Sequence, residues 1–254
     1  MIDEISGDPW RASVPRHETA SHPARGRMRV LRAPVAAYTR RRFGVRLHHA
    51  DRVPRRGPVI LAPNHLGWMD GPLLAIHSPR PVHALTKHEM FQGRMDPFLR
   101  KAGQIPIDRF NPDPRAIKAC LRVLREGGVV GIFPEGARGA GELELFKGGT
   151  AYLALVTGAP VIPVFFFGTR EPGQDSHSRP SRQSPVDIVY GEHWRVDAQP
   201  WPRTKRDVLE ASASLRSHML EQLSHAKELT GRRLPGPLPA GDSERDVARR
   251  QATS

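Results

Sequence analysis

Residues 58–77 read PVILAPNHLGWMDGPLLAIH. The run VILAP is apolar, as expected of a strand covered on both faces. NHLGWM follows, with Gly67 available for a tight turn. Asp70 then precedes Gly71 and Pro72, and proline is at home in the first turn of a helix. The segment therefore reads as strand, turn, helix. In open α/β sheets, the groups that bind and react gather at the carboxyl ends of strands, where such a turn lies.

The turn holds one imidazole, His65, and one carboxylate, Asp70, five positions apart. On a continuous helix five positions rotate a side chain by about 140° away, so the two do not face each other there. They meet only if His65 sits in the turn and curls back toward the helix start. Asp70 also stands where a helix N-cap stands, and aspartate is a preferred cap. If the pair does meet, the carboxylate holds one ring nitrogen and the other can take a proton from a substrate hydroxyl.

The same punctuation continues outward. Residues 45–49, 82–86, 104–107, 129–133, 161–167 and 186–190 are short apolar runs that read as further strands. Helices are expected over 70–77, 96–101, 113–126, 149–157 and from 204 to about 229. The helix at 113–126 has Asp113 as N-cap and Pro114 at its first position. Its Ile117, Cys120, Leu121 and Leu124 recur at helical spacing, which marks Cys120 as a core residue. Strands alternating with helices imply an α/β fold: a mixed, largely parallel sheet with helices on both faces. Residues 1–25 and 231–254 lack periodicity and are expected to be disordered, leaving a single domain over 26–230.

Charge narrows the partners. The 254 residues carry a formal net charge of +13. Residues 1–56 hold 13 arginines, no lysine and 5 acidic groups, so most of the excess lies there. Residues 28–42, MRVLRAPVAAYTRRR, read as a basic amphipathic helix that can lie on an anionic membrane, although Pro34 interrupts it. Packing on its own domain is the alternative. No run approaches the roughly 18–20 apolar residues of a spanning helix. The polar, acidic start MIDEISGDPWRAS does not read as a secretory signal. One cysteine allows no internal disulfide or cysteine-based zinc site, and the histidines lack metal-binding spacing, so no metal is expected. A reducing, bacterial-style cytoplasm fits.

Four blocks in order, NHLGWMD (64–70), GQIPIDR (103–109), FPEGARG (133–139) and VIPV (161–164), resemble the 1-acylglycerol-3-phosphate acyltransferase family. The resemblance covers residues 45–190. It implies a glycerolipid acyltransferase-like fold and transfer of a fatty acyl group from acyl-CoA or acyl carrier protein to a lysophospholipid, with no cofactor. In that family's pattern His65 is the general base and Asp70 its partner. Arg109, Glu135, Gly136 and Arg138 map onto acceptor-binding positions. The physics of guanidinium groups independently suits Arg109 and Arg138 to phosphate. Glu135 can bond a glycerol hydroxyl or hold an arginine. The absence of a G-x-S-x-G elbow agrees with direct attack on the thioester. FKGGT (146–150), glycines before a helix with Lys147 beside them, is a further anion-site candidate.

Two positions depart from the family's third block. Ala137 and Gly139 stand where hydroxyl residues are usual, which opens the acceptor's identity to another lysolipid or a polyol phosphate. The expected setting is peripheral, on the inner face of the cell membrane, with the membrane surface as partner. The rival is a non-enzymatic basic protein binding anionic membrane or nucleic acid. A 6% aromatic content and no basic-aromatic strand pattern argue against nucleic acid.

Overall fold

The computed structural model describes residues 28–181 and 184–242. The stretch that opened the sequence reading is β2 (Val59–Pro63), and all five of its residues are buried. Its side chains alternate between two cores, as pleating requires. Ile60 and Ala62 pack with α4 (Pro114–Arg125), α5 (Gly149–Thr157) and α6 (Lys205–Thr230). Val59 and Leu61 pack on the other face with Leu73 and Leu74 of α2 (Asp70–His77). The sheet is therefore covered by helices on both faces.

The remaining strands are β1 (Arg46–His48), β3 (Val82–Lys87), β4 (Ile105–Ile107), β5 (Val129–Gly131), β6 (Val161–Phe167) and β7 (Asp187–Tyr190). The order is β1-β7-β6-β2-β5-β3-β4. Only β6 with β7 is antiparallel; the other neighbours run parallel. Each expected strand is present. Because β6, β2, β5, β3 and β4 all point the same way, the segments that follow them emerge at one end of the sheet. The turn after β2, the third block after β5 and Arg109 after β4 are thereby brought together.

α1 (Met28–Phe43) is a helix with Pro34 inside it, on an exposed face. Polar contacts tie it to α2. Thr39 Oγ1 lies 2.8 Å from His77 Nε2, and Arg32 donates to the carbonyls of Ile76 and Ser78 at the C-terminal end of α2. Val35 and Tyr38 remain exposed. Short α3 (Met95–Lys101) leaves Met95 and Phe98 exposed as well. No helix among the described residues is long and apolar enough to cross a membrane.

The expected disorder of residues 1–25 and of the tail beyond 242 lies outside the described residues. For 231–242 the expectation is corrected. Gly231 ends α6 in the left-handed region, and the chain then runs back across the domain. Arg232 Nε sits 3.2 Å from Asp187 Oδ2, while Nη1 donates to Ser184 Oγ at 2.9 Å. Asp187 is buried and also accepts from Arg46 and His48. A segment rich in Pro, Gly and Arg reads as solvated until the buried carboxylate waiting for it is known. Replacing Arg232 by Ala should lower unfolding stability by about 1–2 kcal/mol, since two other cations still face Asp187. The midpoint of urea unfolding measures this, and trypsin should cut between 231 and 242 faster in the variant.

Candidate active site

The turn after β2 brings its imidazole and carboxylate together. His65 Nδ1 is 2.9 Å from Asp70 Oδ2. The same oxygen accepts the backbone N–H of Leu66 at 2.6 Å and of Gly67 at 2.9 Å. Asp70 is thus the first residue of α2, with Met69 as the cap position, and its side chain reaches back into the turn. Its carboxylate caps the turn's amides instead of the helix's own. Three donors converge on one carboxylate oxygen, so Nδ1 carries the ring proton and Nε2 is left as the basic nitrogen. Asp70 is fully buried, while the His65 side chain keeps 18% exposure. The Phe133 ring lies 4.2 Å from the imidazole, centroid to centroid, and confines its swing.

The backbone around His65 is held as tightly as its ring. His65 N–H donates to Glu135 Oε1 at 2.9 Å, and His65 C=O accepts from Gly139 N–H at 2.9 Å. The first and third blocks are thereby stitched edge to edge. Leu66 C=O accepts from Arg170 Nε at 3.0 Å. Below the turn, the Asn64 side chain clasps β6, accepting from Phe166 N–H at 2.8 Å. Asn64, Phe133 and Arg170 were not singled out from the sequence. Asn64 and Phe133 stood inside quoted blocks, but their roles depend on which strand lies alongside.

A cavity of about 960 Å³ opens beside His65. Arg109, Gly136, Arg138 and Lys147 line it together with His65. Val35, Ile76, Met90, Met95 and Phe98 form an apolar part of its wall. Four of the six expected site residues therefore share one wall. Asp70 and Glu135 lie behind it. Glu135 grips neither an arginine nor a cavity-side group; its carboxyl braces the backbone of His65. Gly136 adopts φ +67, and a Cβ there would fall 2.6 Å from Cε of Lys147, whose stem crosses it. Lys147 Nζ in turn donates to the carbonyl of Arg109 at 2.9 Å, so the second and third blocks are linked through the FKGGT segment. Arg138 Nη1 reaches Ser176 O at 3.4 Å. Ala137 and Gly139 do not line the cavity. Cys120 is buried in the core, where burial pushes its thiol pKa far up, so it offers no thiolate.

Burial raises the carboxyl of Glu135 from 4.5 to about 8, with Asp70, Glu144 and Glu142 adding to the rise and the His65 N–H opposing it. The folded protein thus holds a proton on Glu135 that the unfolded chain releases above pH 4.5, up to about pH 8. Its contribution to stability is present below the lower value and is lost as pH rises through the upper one. Glu135→Gln keeps an acceptor for His65 N–H without the charge. It should melt close to wild type at pH 5 and several degrees higher at pH 9, at about 2–4 °C per kcal/mol relieved. Melting curves across that range check the crossover.

Residues 44–166 match the family model described as Acyltransferase. The chain is 35% identical over 129 residues to a 1-acyl-sn-glycerol-3-phosphate acyltransferase of Bacillus subtilis, covering 50% of this chain and 64% of that protein. A Borreliella burgdorferi protein of the same description is 34% identical over 129 residues, covering 47% of this chain and 50% of its own length. The chain thus spans about half to two thirds of the curated relatives it matches. The crystal structure of the 1-acyl-sn-glycerophosphate acyltransferase of Thermotoga maritima superposes with a TM-score of 0.54 at 22% identity, over 79% of this chain and 84% of that one, and shares its fold. Residues 44–166, where the histidine turn and the third block meet, are the part of this chain that is similar to the acyltransferase family.

Proposed function

We propose that the chain is an O-acyltransferase that moves a fatty acyl group from acyl-CoA or acyl carrier protein to the free hydroxyl of 1-acylglycerol-3-phosphate, giving phosphatidic acid. One observation carries the reading. A histidine whose Nδ1 is held 2.9 Å from a buried carboxylate stands on the wall of a cavity that is apolar in one part and cationic in another. A lysophospholipid has the matching shape: an acyl chain, a hydroxyl and a phosphate.

In the reaction, Nε2 of His65 takes the acceptor's hydroxyl proton as the oxygen attacks the thioester carbonyl. The tetrahedral intermediate collapses, the C–S bond breaks, and the imidazolium returns the proton to the leaving thiolate. Asp70 holds the ring orientation and balances the imidazolium charge throughout. Arg109 and Arg138 grip the acceptor's phosphate, each with a planar fork of donors. Glu135 acts from behind the wall, on the backbone of His65. Ala137 and Gly139 stand off the cavity wall.

The setting that supports this chemistry is the inner face of the cell membrane. Val35 of α1, Trp68 of the catalytic turn, and Met90, Met95 and Phe98 are all exposed and all border the cavity. Arg40, Arg41, Arg94, Arg100 and Lys101 are exposed nearby on the same helices or just before them. Apolar residues flanked by cations suit an anionic interface, from which a lipid acceptor can enter without crossing water.

The test is an assay of purified protein with lysophosphatidate and labelled acyl-CoA or acyl carrier protein. Labelled phosphatidic acid is expected from the wild type, and about 10²–10⁴ less from His65→Ala. Equal rates in both would remove His65 from the chemistry. Arg138→Ala should raise the acceptor's KM more than the donor's; an unchanged acceptor KM would place the phosphate elsewhere.

A further inference from the structure

Arg170 lies beyond residue 166, where the match to the acyltransferase family ends. It is the first charged residue after β6 and is 1% exposed. Burying a guanidinium is costly unless its donors and its charge are both met. Among the described residues no carboxylate bonds it directly. Four backbone carbonyls do: Nε donates to Leu66 O at 3.0 Å, Nη1 to Gln174 O at 3.1 Å, and Nη2 to Gly139 O at 2.9 Å and Gly236 O at 2.6 Å. Asp70 and Asp242 are close enough to balance its charge.

Two of these acceptors frame the reactive histidine. Gly139 N–H already holds His65 C=O, and the next peptide carbonyl along the turn is that of Leu66. Arg170 therefore closes a ring of hydrogen bonds that runs from its own fork through Gly139, His65 and Leu66 and back. Asp70 Oδ1, the oxygen not bonded to His65, is buried with no hydrogen-bond partner among the described residues, and the Arg170 charge lies close to this carboxylate. A second clasp runs beside the first. Ser176 C=O accepts from Trp68 N–H at 3.1 Å and from Arg138 Nη1 at 3.4 Å. Ser176 N–H and Oγ both bond the carboxylate of Asp242. Both clasps come from the loop after β6, and both are tied down by the segment after α6, through Gly236 and Asp242.

We infer that Arg170 is a positioning residue for acyl transfer: its fork fixes the His65 turn against the third block, and the 236–242 strap locks that fork in place. This rests on the acyl-transfer reading for its kinetic consequence, but the geometric claim stands by itself. Arg170 does not line the cavity, so it touches no substrate. Lysine keeps the charge but cannot span two carbonyls with one planar group.

The experiment compares wild type, Arg170→Lys and Arg170→Gln as full chains. Both variants should lose about 100-fold in kcat, the effect of a small misplacement of a catalytic group, while KM for acceptor and donor stays within about threefold. Hydrogen exchange without substrate gives the second readout. Amides of 64–70 and 136–140 should exchange faster in both variants while those of α4, α5 and β6 do not change, which a general loss of stability would not produce. A kcat within threefold of wild type, a loss confined to KM, or unaltered exchange at 64–70 overturns the inference. If the variants do not fold, Asp242→Ala decides it: about a tenfold loss of kcat with faster exchange at 64–70 supports the strap, and unchanged values overturn it. Should wild type acylate no lysolipid, the functional reading fails, and exchange alone decides the role of Arg170.

Discussion

The four backbone polar groups of His65 and Leu66 are each held by a different residue. Glu135 takes one N–H, Asp70 the other, Gly139 holds one carbonyl and Arg170 the other. A general base works only if its nitrogen is presented within hydrogen-bond reach of the hydroxyl it deprotonates. Here the presentation is set by main-chain bonds, with the Phe133 ring and the Asp70 carboxylate fixing the remaining side-chain torsions. Everything else in the site follows from this dipeptide being immobile.

The order β6-β2-β5 makes that immobility possible. Three parallel neighbours deliver three connecting segments to one end of the sheet. The turn after β2 brings the imidazole, the one after β5 brings Glu135, Gly136 and Arg138, and the loop after β6 brings Arg170 and Ser176. Each segment has some internal hydrogen bonds, and others cross between the segments. Together they satisfy one another, which is the condition for placing polar backbone in a dry interior.

Charge is handled differently on the two sides of the cavity wall. On the cavity side, Arg109, Arg138 and Lys147 line the wall. Behind the wall, charge is suppressed or dispersed: burial keeps Glu135 protonated up to about pH 8, and Arg170 is met by four carbonyl dipoles. A second bare carboxylate beside Asp70 would compete for the imidazolium's charge and raise the cost of the buried site. Holding Glu135 neutral avoids this and still leaves it an acceptor for His65 N–H.

Much of the fold was legible in local pattern. Apolar runs, Asp113 with Pro114, and the glycines between elements set the order of strands and helices, because period and capping are properties of neighbours in sequence. The meeting of His65 with Asp70 was also legible, since Gly67 and Pro72 imply a turn between them. What the chain alone determined, then, was which elements form and which side chains that turn can bring together. Tertiary structure decided that Glu135 braces the backbone of the histidine, that residues 231–242 run back across the domain, and that Arg170 meets the turn. The reason is physical: each of those roles depends on a partner more than 30 residues away, whose nearness follows from strand order, and local sequence carries no record of which carbonyl will be within reach of a buried guanidinium.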